Sequence, residues 1–339
     1  MGVARFDPEI DRKRARLDEA ARATLLADGR RLVIVGASGW IGRTAISLFR
    51  EALGPQAFDQ RVVCFGSRPG HVDLEDGESV AQRPLSALAD LAPTPTLLLH
   101  LAFLTKDKVA GMDPEAYASA NRALSSVIAA SLDPIGVDRL FVASSGAAAF
   151  ADDPAAATDL RLYGALKRDD ERLFAGWASA APDDRRAVIA RIYSVSGPWI
   201  NKPDVYALAS FILDGLAGRA VEVRAPMRVW RGYVALRELL SLVLAALLEE
   251  DGPPVLSFDS GGEAMELGEV GARVAAVLGA DMIRRPVSRP DENCYVGDDA
   301  SYTALLGRYG VSRVGLDDQV AETAAYMARS MIASMGAGD

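Results

Sequence analysis

Residues 32–42 read Leu-Val-Ile-Val-Gly-Ala-Ser-Gly-Trp-Ile-Gly, an apolar run followed by three evenly spaced glycines. The run 32–35 is typical of a buried β-strand, and a helical pattern begins near Trp40. Glycines allow a sharp turn and close approach of the backbone to a ligand, and the helix N-terminus attracts phosphate. The stretch predicts a strand, a phosphate-binding loop and a helix, as in dinucleotide-binding folds. Taken alone, it also fits an ordinary strand–turn–helix whose glycines serve only packing.

Apolar and amphipathic segments alternate along the chain. Strands are predicted at 31–35, 61–65, 96–101, 139–144, 187–192 and 254–258, and helices at 40–53, 113–132, 159–179, 204–217, 235–250 and 266–278. This alternation indicates an α/β protein with a doubly wound parallel sheet, the Rossmann fold. We expect an extra N-terminal helix in 1–30, a Rossmann domain at 31–192, and a smaller substrate-binding part at 193–339. Within that part, 235–260 should return to the Rossmann sheet.

A second motif, Tyr163-Gly-Ala-Leu-Lys167, lies on the predicted helix 159–179. Residues four apart share a helix face, so Lys167 should lie beside Tyr163. A free tyrosine has a pKa of about 10, and a neighbouring ammonium lowers it. Tyr163 is therefore a candidate acid/base that moves a proton while a cofactor exchanges a hydride. Ser145, which ends an apolar run, is the candidate second donor. A surface tyrosine with a solvated lysine is the alternative.

The two motifs, in this order, resemble the extended short-chain dehydrogenases/reductases, the NAD-dependent epimerase/dehydratase family that modifies nucleotide sugars. The resemblance extends from about Arg31 to Met327. Asn121 stands where that family has a structural asparagine, and Arg191–Pro198 resembles its R-x-x-N-x-x-G-P segment. One segment departs from the family's 4,6-dehydratases, which place an Asp-Glu pair after the catalytic hydroxyl residue. Gly146-Ala147 stands there instead, so a 4,6-dehydratase is not expected.

The resemblance also implies site residues. Ser145, Tyr163 and Lys167 would be catalytic, and Lys167 would bind the nicotinamide ribose as well. The residues expected to bind the cofactor are Gly36, Ser38, Gly39, Trp40, Ile41, Gly42, Ser67, Arg68, Leu101, Ala102 and Lys167.

Cofactor preference is predicted from the end of the second strand. NAD enzymes usually carry an acid there that binds the ribose hydroxyls. Here the strand ends in Gly66-Ser67-Arg68, and the next acid is Asp73. Ser67 and Arg68 could bind a 2′-phosphate, which favours NADP. With Arg68 as a solvated loop residue, NAD would bind instead.

Substrate contacts are implied by the family's phosphate-binding arginines. Arg231-Gly-Tyr-Val and the segment that begins at Arg289 resemble the two arginine segments of the family, and Ser194 stands where a substrate-binding asparagine is common. Two guanidinium groups would suit a pyrophosphate. The alternative is two surface arginines that pair with acids.

Composition narrows the classes of function. The formal net charge of −9 argues against nucleic acid or an anionic membrane as the main partner. Two cysteines and two histidines predict no disulfide framework and no metal site. The charged N-terminus is no secretory signal, so a cytoplasmic protein is expected.

Three functions stay open at this point. The first is an NADP- or NAD-linked reductase or dehydrogenase that acts at a sugar carbon of a nucleotide sugar. The second is a nucleotide-sugar C4-epimerase, and the third is a non-catalytic regulator that binds NADP. The predicted NADP preference favours the first over the second, and the presence of Ser145, Tyr163 and Lys167 argues against the third. The Ala- and Leu-rich helices 113–132 and 159–179 resemble the pair through which family members form homodimers, although they could instead face the sheet.

Overall fold

The computed structural model describes residues 15–74, 77–105, 109 and 111–336, with side chains as far as residue 331. The chain divides into two compact units. The sheet unit comprises Glu19–Ile192 and Ser241–Asp259. The C-terminal unit comprises Tyr193–Leu240 and the described residues of Met1–Asp18 and Ser260–Asp339.

The secondary structure alternates through most of the chain. The helices are α1 (Glu19–Ala27), α2 (Trp40–Leu53), α3 (Pro55–Arg61), α4 (Pro114–Leu132), α5 (Thr158–Ser179), α6 (Ala207–Leu216), α7 (Leu236–Leu247), α8 (Leu267–Leu278), α9 (Asp299–Tyr309) and α10 (Leu316–Gly336). The strands are β1 (Arg31–Val35), β2 (Val62–Gly66), β3 (Gly70–Asp73), β4 (Ser79–Pro84), β5 (Thr96–His100), β6 (Val137–Ser145), β7 (Arg186–Ile192), β8 (Ser194–Ser196), β9 (Val221–Val223), β10 (Arg228–Ala235), β11 (Val255–Asp259), β12 (Ala264–Glu266), β13 (Met282–Arg284) and β14 (Glu292–Tyr295). Short 3₁₀ helices at Leu85–Asp90 and Gly146–Phe150 complete the connections.

The sheet unit is built on eight strands in the order β11-β7-β6-β5-β1-β2-β4-β3. All neighbouring pairs are parallel except β3 and β4, which form an antiparallel edge. The strand order runs in opposite directions from β1, so the sheet is doubly wound. The α/β class and the parallel sheet predicted from the sequence are confirmed. In such sheets ligands bind at the carboxyl ends of the strands, near the point where the order reverses.

The central strands are apolar because both of their faces are covered. Leu32 to Val35 of β1 and Leu97 to Leu99 of β5 are almost completely buried. Parallel sheets carry helices on both faces, so their strands have near-continuous apolar runs rather than alternating ones. This explains why the sequence located β1, β5, β6, β7 and β11 within two residues.

Some elements differ from the sequence prediction. The edge strands β3 and β4 were missed because Gly70–Asp73 and Ser79–Pro84 are mostly polar and exposed. The prediction contained no helix after 278, yet α9 and α10 follow there. An extra helix was expected within 1–30, and α1 (Glu19–Ala27) lies in that range, whereas residues 15–18 are not helical. The first fourteen residues of the expected range lie outside the described residues.

The C-terminal unit contains smaller sheets. Strand β10 pairs with β12, β14 and β8, and β13 pairs with β9. A buried polar network connects its elements: Ser196 Oγ donates to Gln319 Oε1 at 2.7 Å, and the Gly197 N–H donates to Thr323 Oγ1 at 2.9 Å. In the described part of the chain, no helix is both long and apolar enough to cross a membrane.

Candidate active site

The glycine loop lies against the ends of two strands. The N–H groups of Gly36 and Ala37 donate to Phe65 O at 2.9 and 3.1 Å, which fixes the loop beside the end of β2. Gly36 has a φ of +96°, a conformation that favours glycine. A Cβ atom there would lie 2.7 Å from Ala102 N. A side chain at this position would therefore separate the loop from Leu101 and Ala102, the segment after β5 that was predicted to contact the cofactor.

The N-terminus of α2 fits a dinucleotide phosphate. Gly39 is the N-cap residue and supplies no side-chain cap. Ser38 is exposed, and a Cβ at Gly39 would have 3.3 Å to Gly36 O as its nearest contact. Backbone N–H groups and the helix dipole at such an end favour an anion. Residues 36–42, with Trp40 and Ile41 in the first turn, therefore form a cradle suited to the pyrophosphate of a dinucleotide.

Lys167 lies one turn after Tyr163 on α5, and its side chain is buried. Its Nζ atom donates to Ala143 O on β6 at 2.8 Å, and only 4% of the residue is exposed. The same atom lies 3.8 Å from the ring centroid of Phe103. The Phe103 ring also makes an edge contact with Tyr163, with ring centroids 5.7 Å apart. Phe103 therefore contacts both members of the predicted dyad.

Close packing of α5 brings the dyad to the end of β6. Ser145 ends β6, and its Oγ accepts the N–H of Ala147 at 3.2 Å in the following 3₁₀ turn. A Cβ at Gly164 would overlap the carbonyl oxygen of Ala147. Glycine at this position therefore lets Tyr163 approach the turn that follows Ser145. The structure brings Ser145, Tyr163 and Lys167 into one region of the sheet unit, while their catalytic roles stay predictions.

Acidic groups surround the Lys167 ammonium. Burial lowers the pKa of Lys167 to about 8, and the charges of Asp170 and Glu171 oppose this shift. The Glu171 carboxylate forms an ion pair with Arg191, which donates two hydrogen bonds to it at 2.9 and 2.8 Å. Asp170 is the remaining negative charge beside Lys167 on this face of α5.

Asp170 lies in a second buried cluster. Ser125 Oγ donates to Asp170 Oδ1 at 2.5 Å, and Asp170 Oδ2 lies 3.4 Å from His100 Nε2. Burial lowers the pKa of His100 below its usual range, so the imidazole is neutral near pH 7. His100 therefore leaves the Asp170 charge to balance Lys167.

The segment after β5 is held in place by α4. The Leu104 N–H donates to Asn121 Oδ1 at 2.8 Å, and the Tyr117 hydroxyl donates to Leu104 O at 2.5 Å. These bonds fix Phe103 against the dyad and give the predicted structural asparagine a physical role. The sequence did not indicate Phe103, His100 or Asp170 as site residues. The one available signal was the spacing of Asp170 and Glu171, three and four residues after Lys167.

The loop after β2 is exposed at both positions predicted to bind the cofactor. Ser67 and Arg68 are solvent-exposed, and the Arg68 carbonyl accepts a hydrogen bond from Gln82 Nε2 at 3.0 Å. The guanidinium of Arg68 is therefore accessible to a ligand, and its backbone is anchored to β4.

The three predicted substrate residues lie in the C-terminal unit. Ser194 in β8 pairs with Tyr233 of β10. Arg231 in β10 donates to Trp230 O and Asn293 O at 2.7 and 3.3 Å and lies over the ring of Tyr295. Arg289 is exposed and forms a two-bond ion pair with Asp291.

The two predicted arginines stand apart along paired strands. Arg231 pairs with Tyr295, the last residue of β14, whereas Arg289 precedes the first residue of that strand. The backbone N–H of Arg289 donates to Pro226 O, so Arg289 is not part of the β10–β14 pairing. A shared pyrophosphate would need the Arg289–Asp291 pair to open, and the joint role of the arginines stays a prediction. Among the described residues, no group of three or more His, Cys, Asp or Glu is placed to hold a metal ion.

Similar structures support this fold. The chain is similar to MoeE5 in complex with UDP-glucose and NAD, with 22% identity, a TM-score of 0.65, and coverage of 89% of this chain and 99% of that one. It is similar to a UDP-glucose 4-epimerase with UDP-glucose from Thermotoga maritima, with 18% identity, a TM-score of 0.66, and coverage of 89% and 99%.

A third similar structure is TunA, an NAD-dependent NDP-hexosamine 5,6-dehydratase involved in tunicamycin biosynthesis, with 19% identity and a TM-score of 0.62. The coverage is 88% of this chain and 97% of TunA. No curated protein sequence matches the chain.

The family is shown by a sequence model. The model that describes the NAD dependent epimerase/dehydratase family matches residues 32–259, two thirds of the chain. That range contains the glycine loop, Ser145, Tyr163 and Lys167. The comparisons indicate NAD as the family's cofactor and do not support the preference for NADP that was predicted from Arg68. The chain belongs to the NAD dependent epimerase/dehydratase family and is an enzyme of that family.

Proposed function

We propose that this enzyme epimerises the sugar of a nucleotide sugar at C4, with NAD as cofactor. The proposal rests on one observation: Ser145, Tyr163 and buried Lys167 lie together around the end of β6 in the sheet unit that also carries the glycine loop. The turn after Ser145 holds Gly146 and Ala147 rather than carboxylates, so the acids expected for a 4,6-elimination are missing there. The UDP-glucose 4-epimerase of similar fold supports the choice among the family's activities.

Each catalytic residue has a definite task in this proposal. Tyr163 takes the proton from a sugar hydroxyl and returns it to the keto oxygen. Lys167 stabilises the phenolate form of Tyr163 by its positive charge, and Ser145 donates a hydrogen bond to the reacting oxygen. NAD bound at the glycine loop supplies the hydride acceptor and donor.

The nucleotide part of the substrate is assigned to the C-terminal unit. Arg231 is half-buried and lies 5.8 Å from the Tyr295 ring centroid, and Tyr295 in turn packs on Tyr193. The guanidinium of Arg231 is suited to a diphosphate, and the neighbouring tyrosine rings are suited to stacking on a nucleobase. Similar structures with UDP-glucose support this substrate class. Ser194 and Arg289 complete the proposed set.

A reductase or dehydrogenase that uses NADP is the second candidate. The exposed Arg68 after β2 favours it, because a guanidinium there could bind a 2′-phosphate. A reductase oxidises one reduced cofactor per product and releases the oxidised form, whereas an epimerase regenerates its cofactor in every cycle.

A homodimer is proposed through α4 and α5. Val127 on α4 and Leu173 on α5 are large apolar side chains that lie exposed on the sheet unit. Burial of such side chains in a four-helix bundle between two copies would stabilise an assembly.

The test uses purified enzyme with UDP-glucose, UDP-galactose and related nucleotide sugars, with NAD, NADP or neither added. NMR of the sugar anomeric protons reports interconversion, and absorbance of reduced nicotinamide reports net redox change. An epimerase gives both epimers from either one without release of reduced cofactor into solution. Stoichiometric oxidation or reduction with no epimer would replace the proposal by the reductase. Tyr163→Phe is the control for contaminating activity.

A further inference from the structure

The end of β2 lacks the acid that NAD enzymes usually carry. In dinucleotide-binding folds an Asp or Glu at this place binds the adenosine ribose hydroxyls. Gly66 is the last residue of β2, directly after Phe65. Because Phe65 O accepts the N–H groups of Gly36 and Ala37, this strand end lies against the glycine loop. A ribose acceptor for the cofactor is therefore expected here, and Gly66 supplies none.

A side chain from the neighbouring strand occupies that place. Gln82 of β4 pairs in register with Cys64 of β2, and its side chain extends along the sheet to Gly66. A Cβ built on Gly66 would overlap the carboxamide carbon and nitrogen of Gln82 and would lie 2.5 Å from its oxygen. The Gln82 carboxamide therefore occupies the position that a residue-66 side chain would have.

The orientation of that carboxamide is fixed by one hydrogen bond. Gln82 Nε2 donates to Arg68 O at 3.0 Å, and Gln82 is only 9% exposed. Its Oε1 atom is buried and has no hydrogen-bond partner among the residues that the structure describes. Buried polar atoms normally have partners, and one without them calls for a ligand or a structural reason. The oxygen is an acceptor at the place where the fold needs an acceptor.

We propose that Gln82 replaces the missing acid and that its Oε1 accepts a hydrogen bond from an adenosine ribose hydroxyl of NAD. The inference rests on the proposed function only in that the enzyme binds NAD. An amide oxygen accepts a hydroxyl but gains nothing from a 2′-phosphate, whose oxygens are acceptors too. Gln82 thus accounts for NAD use by a chain with no acid at the end of β2, because it strengthens the binding of NAD and not that of NADP.

The experiment measures dissociation constants of NADH and NADPH by cofactor fluorescence, with no substrate present. Gln82→Leu should weaken NADH binding about 2- to 12-fold, the range for loss of one neutral hydrogen bond. NADPH binding should change less than twofold. Gln82→Glu loses the bond to Arg68 O, but it should raise the ratio of the NADPH to the NADH dissociation constant, because a carboxylate accepts a ribose hydroxyl and repels a 2′-phosphate. Gln60→Leu, the same change at an exposed position of α3, is the matched control and should change neither.

A rescue variant tests the equivalence of the two positions. The double variant Gly66→Asp with Gln82→Ala places an acid at the strand end and removes the overlapping carboxamide. It should bind NADH at least as tightly as wild type, while Gln82→Ala alone binds weakly. If the double variant binds no better than Gln82→Ala, or if Gln82→Leu leaves NADH affinity unchanged, the inference is wrong.

The outcomes separate this inference from the proposed function. Wild-type protein that binds neither cofactor would contradict the proposed function. Wild-type protein that binds NADH with the same affinity as Gln82→Leu contradicts only the role of Gln82. Equal weakening of NADH and NADPH would point to a disturbed strand and would also overturn the role; thermal melting of each variant shows whether the fold is intact.

Discussion

Replacement of Lys167 by methionine should stabilise the protein near neutral pH. Burial lowers the pKa of Lys167 from 10.5 to about 8. Each pKa unit corresponds to about 1.4 kcal/mol, so the charged lysine costs about 3 kcal/mol of unfolding free energy. The variant also loses the 2.8 Å bond from the ammonium to Ala143 O, worth about 2 kcal/mol because the donor is charged. A net gain of about 1 kcal/mol is expected at pH 7.

The pH dependence gives this prediction its sharpest form. Below pH 8 the lysine is protonated in both the folded and the unfolded protein, so the full penalty applies. Between about pH 8 and 10.5 the folded protein binds fewer protons than the unfolded one, so wild-type stability rises relative to the variant. The difference between Lys167→Met and wild type should therefore fall by about 3 kcal/mol across this window.

Urea unfolding, followed by circular dichroism at a series of pH values, measures the difference. Leu166→Met is the matched control, because it makes a similar side chain at a buried neighbour without changing any charge. Its difference from wild type should be constant with pH. A difference for Lys167→Met that is equally constant from pH 7 to 10.5 would refute the reasoning that Lys167 is held charged at the expense of stability.

Three further predictions follow from the same contacts. Asp170→Asn removes a negative charge beside Lys167, so the lysine pKa should fall by on the order of one unit in NMR of ε-¹³C-labelled lysine, whereas the exposed Asp169→Asn should leave it unchanged. Gly164→Ala forces a Cβ onto a backbone oxygen and should lower the unfolding free energy by at least about 2 kcal/mol, whereas Gly176→Ala, with no neighbour within 4 Å, should raise it slightly; urea titration distinguishes them. Light scattering at micromolar concentration should show a dimer, and a strict monomer would remove the proposed α4–α5 interface.

The sequence predicted the central part of the fold because its signals are local. Buried parallel strands are continuous apolar runs, and helices show their period, so β1, β5 and α2 were located from their own residues. Edge strands β3 and β4 are short, polar and held by pairing with neighbours, which no local pattern reveals. The long helix α10 lies in a segment for which no secondary structure was predicted from the sequence.

In the candidate site, too, only the features that depend on neighbouring residues in the sequence could be predicted. The spacing of Tyr163 and Lys167 follows from helix geometry, so their common face could be inferred. The position of Gln82 over Gly66 depends on the register of β2 and β4, and the buried pair of Asp170 and His100 joins α5 to β5. Such contacts between distant segments are invisible in sequence spacing. For that reason the sequence favoured NADP, from the missing acid and from Ser67 and Arg68, without any sign of Gln82.

The central claim is that Tyr163 moves the proton while NAD bound at the glycine loop exchanges a hydride with a nucleotide sugar. The most direct measurement is stopped-flow absorbance of reduced nicotinamide after NAD-loaded enzyme is mixed with a panel of nucleotide sugars. Wild type should show rapid formation of bound reduced cofactor with at least one of them. Tyr163→Phe should bind NAD equally well and react at least ~10²-fold more slowly. The account would be contradicted if Tyr163→Phe reacted at the wild-type rate. It would also be contradicted if the NAD bound to the wild-type enzyme were reduced by none of the nucleotide sugars.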